Sequence, residues 1–150
     1  MEPRLHLTKA SPDAYRAMLA LERYVAECGL EHALLDLIKL RASQLNGCAY
    51  CIDMHWKDAR ARGETEQRLY GLDAWREAPY YSERERAALA WTEAVTRVAV
   101  DHVPDDVYAT ARAQFDEKQL MDLTVAIGAI NVWNRLAIAF RTPAGTYRPK

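Results

Sequence analysis

The amino-acid sequence contains few cysteines, little net charge and no charge-free apolar stretch of transmembrane length. Three cysteines, two of them only three residues apart, do not form the spread-out disulfide framework of a small secreted scaffold. A formal net charge of −1 lacks the excess of basic residues with which proteins bind nucleic acid or an anionic membrane. No charged segment followed by an apolar run opens the sequence, as it would in a signal peptide. We therefore expect a cytoplasmic protein with no nucleic-acid partner and no membrane partner.

The sequence also lacks convincing alternation of apolar and polar residues bounded by turns, which is the pattern of a half-buried strand. Apolar residues instead recur at helical spacing along most of the 150 residues. A chain of this length is most simply one domain with a buried core. We predict an all-α fold in a single domain of residues 1–150, with 1–10 as an N-terminal arm and 141–150 as a C-terminal tail in coil.

Local capping signals predict where the helices begin and end. Ser82 with Glu85, and Asp116 with Gln119, have the spacing of capping boxes. They predict a helix after residue 82 and a long final helix that ends near residue 140 and is apolar nearly all round. Such a helix must lie in the core, in a subunit interface, or in both. Further helices are expected over about 12–28, 31–45, 48–62, 65–72 and 105–115.

The most informative stretch is a Cys-x-x-Cys pair, Cys48 and Cys51, with His55 four residues after the second cysteine. Asn46-Gly47 is a strong turn signal before a helical apolar pattern, so we expect the cysteines in the first turn of a helix. Unpaired backbone N–H groups and the helix dipole favour a thiolate there. Cys51 and His55 share one face of that helix, where the imidazole can accept the thiol proton or stabilise a thiolate as imidazolium. The pattern predicts a redox-active dithiol.

Asp36 is the candidate partner of His55. If the two helices fold back at Asn46-Gly47, Asp36 lies roughly 15 Å from the turn and His55 roughly 12 Å, which is nearly the same height. A carboxylate facing the imidazole would orient the ring and raise its basicity. An alternative is that Asp36 only satisfies a buried Lys39 or Arg41.

Residues 36–41 and 46–51 together with His55 resemble the AhpD-like branch of the carboxymuconolactone decarboxylase superfamily. Residues 82–96 and 123–141 also look like this family, so the resemblance covers most of the chain. It implies a compact all-helical fold with the Cys-x-x-Cys pair at the N-terminus of a buried helix. It further implies a thiol-dependent peroxidase that reduces hydroperoxides through the dithiol and assembles as a homo-oligomer, often a trimer or a hexamer.

The resemblance also implies roles for individual residues. Cys51 attacks the peroxide, Cys48 resolves the resulting sulfenic acid, His55 transfers the proton and Asp36 orients His55. The position of Cys48 nearer the helix terminus argues for the opposite assignment of the two sulfurs. The family's upstream acid is typically glutamate, so Asp36 is one methylene shorter, a gap that a water molecule can bridge.

No flavin, nicotinamide or haem motif is present, so no cofactor is expected and the electrons must come from a reducing thiol/disulfide protein partner. Cys48, Cys51 and His55 offer three zinc ligands, but no second pair completes a structural site, and we expect no metal. Two other functions remain open. One is lactone decarboxylation, although decarboxylase members lack this Cys-x-x-Cys pair. The other is a non-enzymatic, redox-sensing helical oligomer.

Overall fold

The computed structural model describes residues 2–149, apart from the side chain of Asp101. Met1 and Lys150, the ends of the predicted arm and tail, lie outside the described residues. The described part of the chain is helical and contains no strand, which confirms the predicted all-α fold. The helices are α1 (Leu7–Ala10), α2 (Pro12–Glu27), α3 (His32–Asn46), α4 (Ala49–Ala61), α5 (Glu66–Tyr70), α6 (Glu83–Thr96), α7 (Val98–Asp101), α8 (Asp105–Gln114) and α9 (Glu117–Phe140), with a 3-10 turn at Gly71–Ala74.

The helix boundaries follow the capping signals closely. Both predicted capping boxes form, at the start of α6 and at the start of α9. Ser11 occupies the N-cap position of α2, but its side chain makes no capping hydrogen bond. The predicted arm is partly ordered into α1, and it is fixed to the end of α9 because the Arg4 backbone N–H donates to the Phe140 carbonyl at 3.0 Å.

Helix α3 is the centre of the fold, since it packs against α4, α6 and α9. Apolar side chains around most of its circumference are buried, which is why its sequence shows more than one apolar stripe. These are Leu34, Leu35, Leu37, Ile38, Leu40 and Ala42.

Helix α9 is long and apolar enough to span a membrane by length and composition, a property it shares with core helices of soluble proteins. In this fold it packs against α2, α3, α4, α6 and α8. Its other face leaves Met121, Val132 and Ile138 exposed. The helix thus lies in the core on one side and presents apolar surface on the other.

Only Gly47 and Cys48 separate α3 from α4, and the two helices pack against each other. Gly47 ends α3 in the left-handed conformation, with φ at +68°, where a side chain would be strained. Because the connection is short, one face of α3 and one face of α4 line a common cavity.

Candidate active site

The cysteine pair lies at the start of α4, as predicted. Cys48 is the N-cap residue, Cys51 is in the first turn, and a disulfide joins them across a Cα–Cα distance of 5.4 Å. The backbone N–H of Cys51 donates to Cys48 Sγ at 3.4 Å, so the helix N-terminus favours negative charge on that sulfur in the reduced protein. In the part of the chain that the structure describes, no group of three His, Cys, Asp or Glu side chains is arranged to hold a metal ion.

The two sulfurs differ in their surroundings although both cysteines are buried. Cys51 lines a cavity of about 750 Å³ that His55 and Asp36 also line. Both cysteines belong to a small apolar cluster with Ala42, Ile130 and Ala137, but Cys48 does not line the cavity. The apolar wall of the cavity includes Leu5, Leu7, Tyr15, Leu19, Leu35, Met54 and Trp133. A molecule in the cavity would therefore approach the pair from the Cys51 side.

The His55 side chain is buried, and its Nε2 atom has no hydrogen-bond partner. Among residues 2–149 it is the only fully buried side-chain nitrogen or oxygen atom that lacks a hydrogen-bond partner. Burial, together with the positive charges of Lys39 and Arg62, lowers the pKa of His55 to about 3. The imidazole is therefore neutral at neutral pH beside the disulfide, and only a thiolate formed next to it would raise its pKa enough to hold the thiol proton.

Asp36 is paired with Arg62 and not with His55, which corrects the expected contact. Arg62 Nη1 donates to both carboxylate oxygens of Asp36, at 2.6 and 2.8 Å, and no hydrogen bond joins Asp36 to His55 within residues 2–149. The physical reason is that Arg62, the C-cap residue of α4, lies seven residues after His55 on the same side and carries a full charge, whereas the buried imidazole is neutral. Burial raises the pKa of Asp36, and Arg62 counteracts part of that rise.

The alternative pairing of Asp36 with Lys39 or Arg41 is not formed either. Lys39 Nζ donates to Glu22 at 2.6 Å, and Arg41 Nε donates to Glu93 at 2.8 Å. The Lys39–Glu22 pair lines the same cavity as Cys51 and was not identified in the sequence. Glu22 lies on α2, and no local spacing relates it to the cysteine motif.

Both predicted terminal segments border the cavity. Residues 3 and 5–8 of the arm and residues 142–143 of the tail lie along its wall. The tail is held against α4 because the Tyr147 hydroxyl donates to Asp58 at 2.7 Å and Lys57 Nζ donates to the Tyr147 carbonyl at 3.2 Å. The ends of the chain thus help to shape the space next to Cys51.

The comparisons with known sequences identify the family. The profile of the carboxymuconolactone decarboxylase family matches residues 12–94, which include the cysteine pair and His55. The uncharacterized protein YdfG of Bacillus subtilis (strain 168) is 42% identical over 146 residues, covering 97% of this chain and 99% of YdfG. The uncharacterized protein YnjA of Escherichia coli (strain K12) is 30% identical over 115 residues, covering 77% of this chain and 63% of YnjA.

Solved structures share the fold. The Agrobacterium tumefaciens protein ATU0492, described as a candidate antioxidant defence protein AhpD, has a TM-score of 0.94 and 49% identity over 97% of this chain and 100% of its own. The alkylhydroperoxidase AhpD core of a peroxidase-related protein from Ralstonia eutropha JMP134 has a TM-score of 0.81 over 93% of this chain and 74% of its own. At 20% identity the second likeness concerns the fold alone. On the matched profile, these relatives and the helical Cys-x-x-Cys site, the chain belongs to the carboxymuconolactone decarboxylase family, in its AhpD-like branch.

Proposed function

We propose that this protein is a thiol-dependent peroxidase that reduces hydroperoxides through the Cys48–Cys51 dithiol. One observation carries the proposal: the cysteine pair faces a cavity through Cys51, one helical turn from a buried His55 Nε2 that has no partner. A buried polar atom without a hydrogen bond costs about 1–3 kcal/mol, a cost that a thiol or peroxide proton would offset. The fold and the description of the Agrobacterium relative agree with an antioxidant role.

The proposed cycle has three steps that balance. Neutral His55 accepts the Cys51 thiol proton, and the thiolate attacks the peroxide; an S–O bond forms, the O–O bond breaks, and the alcohol leaves with the proton from His55. Cys48 then attacks the Cys51 sulfenic acid, which forms the disulfide and releases water. A partner dithiol returns two electrons and two protons by thiol–disulfide exchange and is itself oxidised to a disulfide.

Asp36 acts in this proposal as a positioning residue for His55. Its carboxylate lines the same cavity as the imidazole but is bonded to Arg62, so in this proposal it acts on His55 by offsetting the charge of Arg62 or through a bridging water. Cys51 is proposed as the attacking sulfur because it lines the cavity and Cys48 does not, although both contact the same apolar cluster.

The size of the cavity and its largely apolar wall favour an organic hydroperoxide as substrate. The reductant is a thiol/disulfide protein, since the cycle needs two electrons and the chain carries no cofactor motif. Exposed apolar side chains on α9, Met121 and Val132 among them, support a homo-oligomer, and the family resemblance implies a trimer or a hexamer. We place the protein in the cytoplasm.

The test compares two cysteine variants in a turnover assay with tert-butyl hydroperoxide and dithiothreitol. Cys51→Ser should lose turnover by about 10³-fold or more, because it removes the nucleophile. Cys28→Ser is the matched control, since Cys28 is the free cysteine, donates its thiol hydrogen to the Val25 carbonyl and packs against the apolar core rather than lining the cavity. Full turnover by Cys51→Ser contradicts the proposal.

Two further measurements distinguish the other two functions. Release of CO2 from a muconolactone by the Cys48→Ser/Cys51→Ser double variant would indicate a decarboxylase. A reversible disulfide that changes the assembly state, without turnover with any reductant, would indicate a redox sensor.

A further inference from the structure

The backbone of the turn before the cysteine pair is fixed by the last turn of α3. The Cys48 N–H donates to the Ser43 carbonyl at 3.0 Å, and the Gly47 N–H donates to the Gln44 carbonyl at 3.1 Å. The N–H of Cys48 is therefore held by α3, while its carbonyl accepts from the Ile52 N–H of α4 at 2.9 Å. A displacement of the end of α3 disturbs the position of Cys48 relative to Cys51.

A fully buried amide on α9 holds that last turn of α3. Asn134 is completely inaccessible to solvent, and its two polar atoms bond to two residues of α3. Asn134 Nδ2 donates to Ser43 Oγ at 3.0 Å, and Asn134 Oδ1 accepts from Asn46 Nδ2 at 2.8 Å. The same Asn46 amide also donates to Asn131 Oδ1 at 3.0 Å. Burying an amide is costly unless the amide is hydrogen-bonded, so a buried asparagine favours the one arrangement of the helices that satisfies its hydrogen bonds. An apolar side chain at the same position would pack without this requirement.

The helix that carries Asn134 also contacts the cysteine pair. Ile130 and Ala137, about one turn before and one turn after Asn134, belong to the apolar cluster that contains Cys48 and Cys51. Helix α9 therefore sets both the backbone before Cys48 and the surface on which the disulfide rests.

We propose that Asn134 is a positioning residue that sets the reduction potential of the Cys48–Cys51 disulfide. On reduction, the S–S bond accepts two electrons and two protons from a partner dithiol, which becomes a disulfide. A turn that is held rigidly keeps the two sulfurs within bonding reach in the reduced protein, so closing the disulfide costs little conformational freedom. A loosened turn favours the dithiol. The inference rests on the disulfide cycle of the proposed function but needs no peroxide.

The test is the equilibrium of the full chain with reduced and oxidised glutathione, with thiols counted by mass spectrometry. Asn134→Leu keeps a similar volume and removes both hydrogen bonds to α3. We expect the equilibrium constant for disulfide formation to fall about tenfold, which makes the potential about 30 mV less negative. The matched control is Thr92→Val on α6, which also removes one hydrogen bond of a fully buried polar side chain, from Thr92 Oγ1 to the Ala88 carbonyl. Its potential should equal that of the wild type.

Ser43→Ala keeps the test decisive if Asn134→Leu does not fold. It removes only the hydroxyl that Asn134 contacts and introduces a strong helix former, so it should fold and shift the potential in the same direction by a smaller amount. Wild-type potentials in the folded variants, or an equal shift in Thr92→Val, would overturn the inference. A shifted potential in a protein without peroxide turnover would support this inference while refuting the proposed function.

Discussion

The two sides of the cysteine pair differ in their hydrogen bonds. On the side that faces α9, the polar side chains have hydrogen-bond partners, whereas on the side that faces the cavity one buried nitrogen atom has no partner among the described residues. Asn134 bonds to both Ser43 and Asn46 next to Cys48. His55 Nε2 is equally inaccessible to solvent but bonds to nothing within residues 2–149. In the proposed function, hydrogen-bonded side chains hold Cys48 in place, whereas the unpaired His55 side chain on the cavity side is free to react. A polar group with partners fixes geometry, and one without them is available to a reacting molecule.

Removing the unpaired imidazole should have the largest effect. His55→Gln keeps a polar side chain but removes the base, so kcat/KM for a hydroperoxide should fall about 10²- to 10⁴-fold. Steady-state kinetics measure this, and titration of the reduced thiols checks that the dithiol is intact. A wild-type rate in this variant would mean that the unpaired nitrogen has no part in the reaction.

The neutral state of His55 predicts a loss of stability in acid. Its folded pKa of about 3 lies below the usual 6.5, so its contribution to stability is complete above about pH 6.5 and is lost as the pH falls toward 3. Between about pH 6.5 and pH 4.5 the loss should be on the order of 2 kcal/mol. Urea unfolding at both pH values measures it. His55→Gln should show a shallower dependence, and an unchanged dependence would contradict the burial of a neutral imidazole.

Asp36 should matter less than His55, because no direct hydrogen bond joins the two side chains. Asp36→Asn keeps the shape and removes the charge, so the peroxide rate should fall about tenfold, as for other groups that act through a reacting side chain. Asp36→Glu keeps the charge and serves as the control, with a rate close to wild type. A loss in Asp36→Asn as large as that in His55→Gln would show that Asp36 contacts His55 directly during the reaction.

The smallest effect concerns the tail beside the cavity. Tyr147→Phe removes the hydrogen bond to Asp58 and should lower the free energy of unfolding by about 1 kcal/mol without changing turnover. The control is Tyr70→Phe, which removes the hydrogen bond from an exposed hydroxyl to Glu66 and should cost almost nothing. Equal stability of the two variants would mean that the tail is not held by this contact.

The fold could be predicted because its signals are local. The capping boxes at Ser82 and Asp116 and the turn at Asn46-Gly47 depend on residues no more than three apart. The positions of Cys48 and Cys51 at the start of α4 follow from the same kind of signal. For these elements the sequence and the structure agree to within one or two residues.

The partners of the site residues could not be predicted because they depend on packing between distant segments. Asp36 is 26 residues from Arg62, and Ser43 is 91 residues from Asn134. The expected Asp36–His55 contact was reasonable from helix height alone. The contact does not form because the height of a residue along the helix does not determine which side chain a carboxylate binds. Arg62 lies on the same side as His55 and is charged, so Asp36 bonds to Arg62.

The central claim is that the Cys48–Cys51 dithiol reacts with peroxide, and stoichiometric oxidation tests it most directly. Thiols of the fully reduced protein are counted before and after one equivalent of an organic hydroperoxide at neutral pH, and mass spectrometry locates any new bond. We predict that two of the three thiols disappear as an intramolecular Cys48–Cys51 disulfide while Cys28 stays free. Survival of all three thiols would contradict the account.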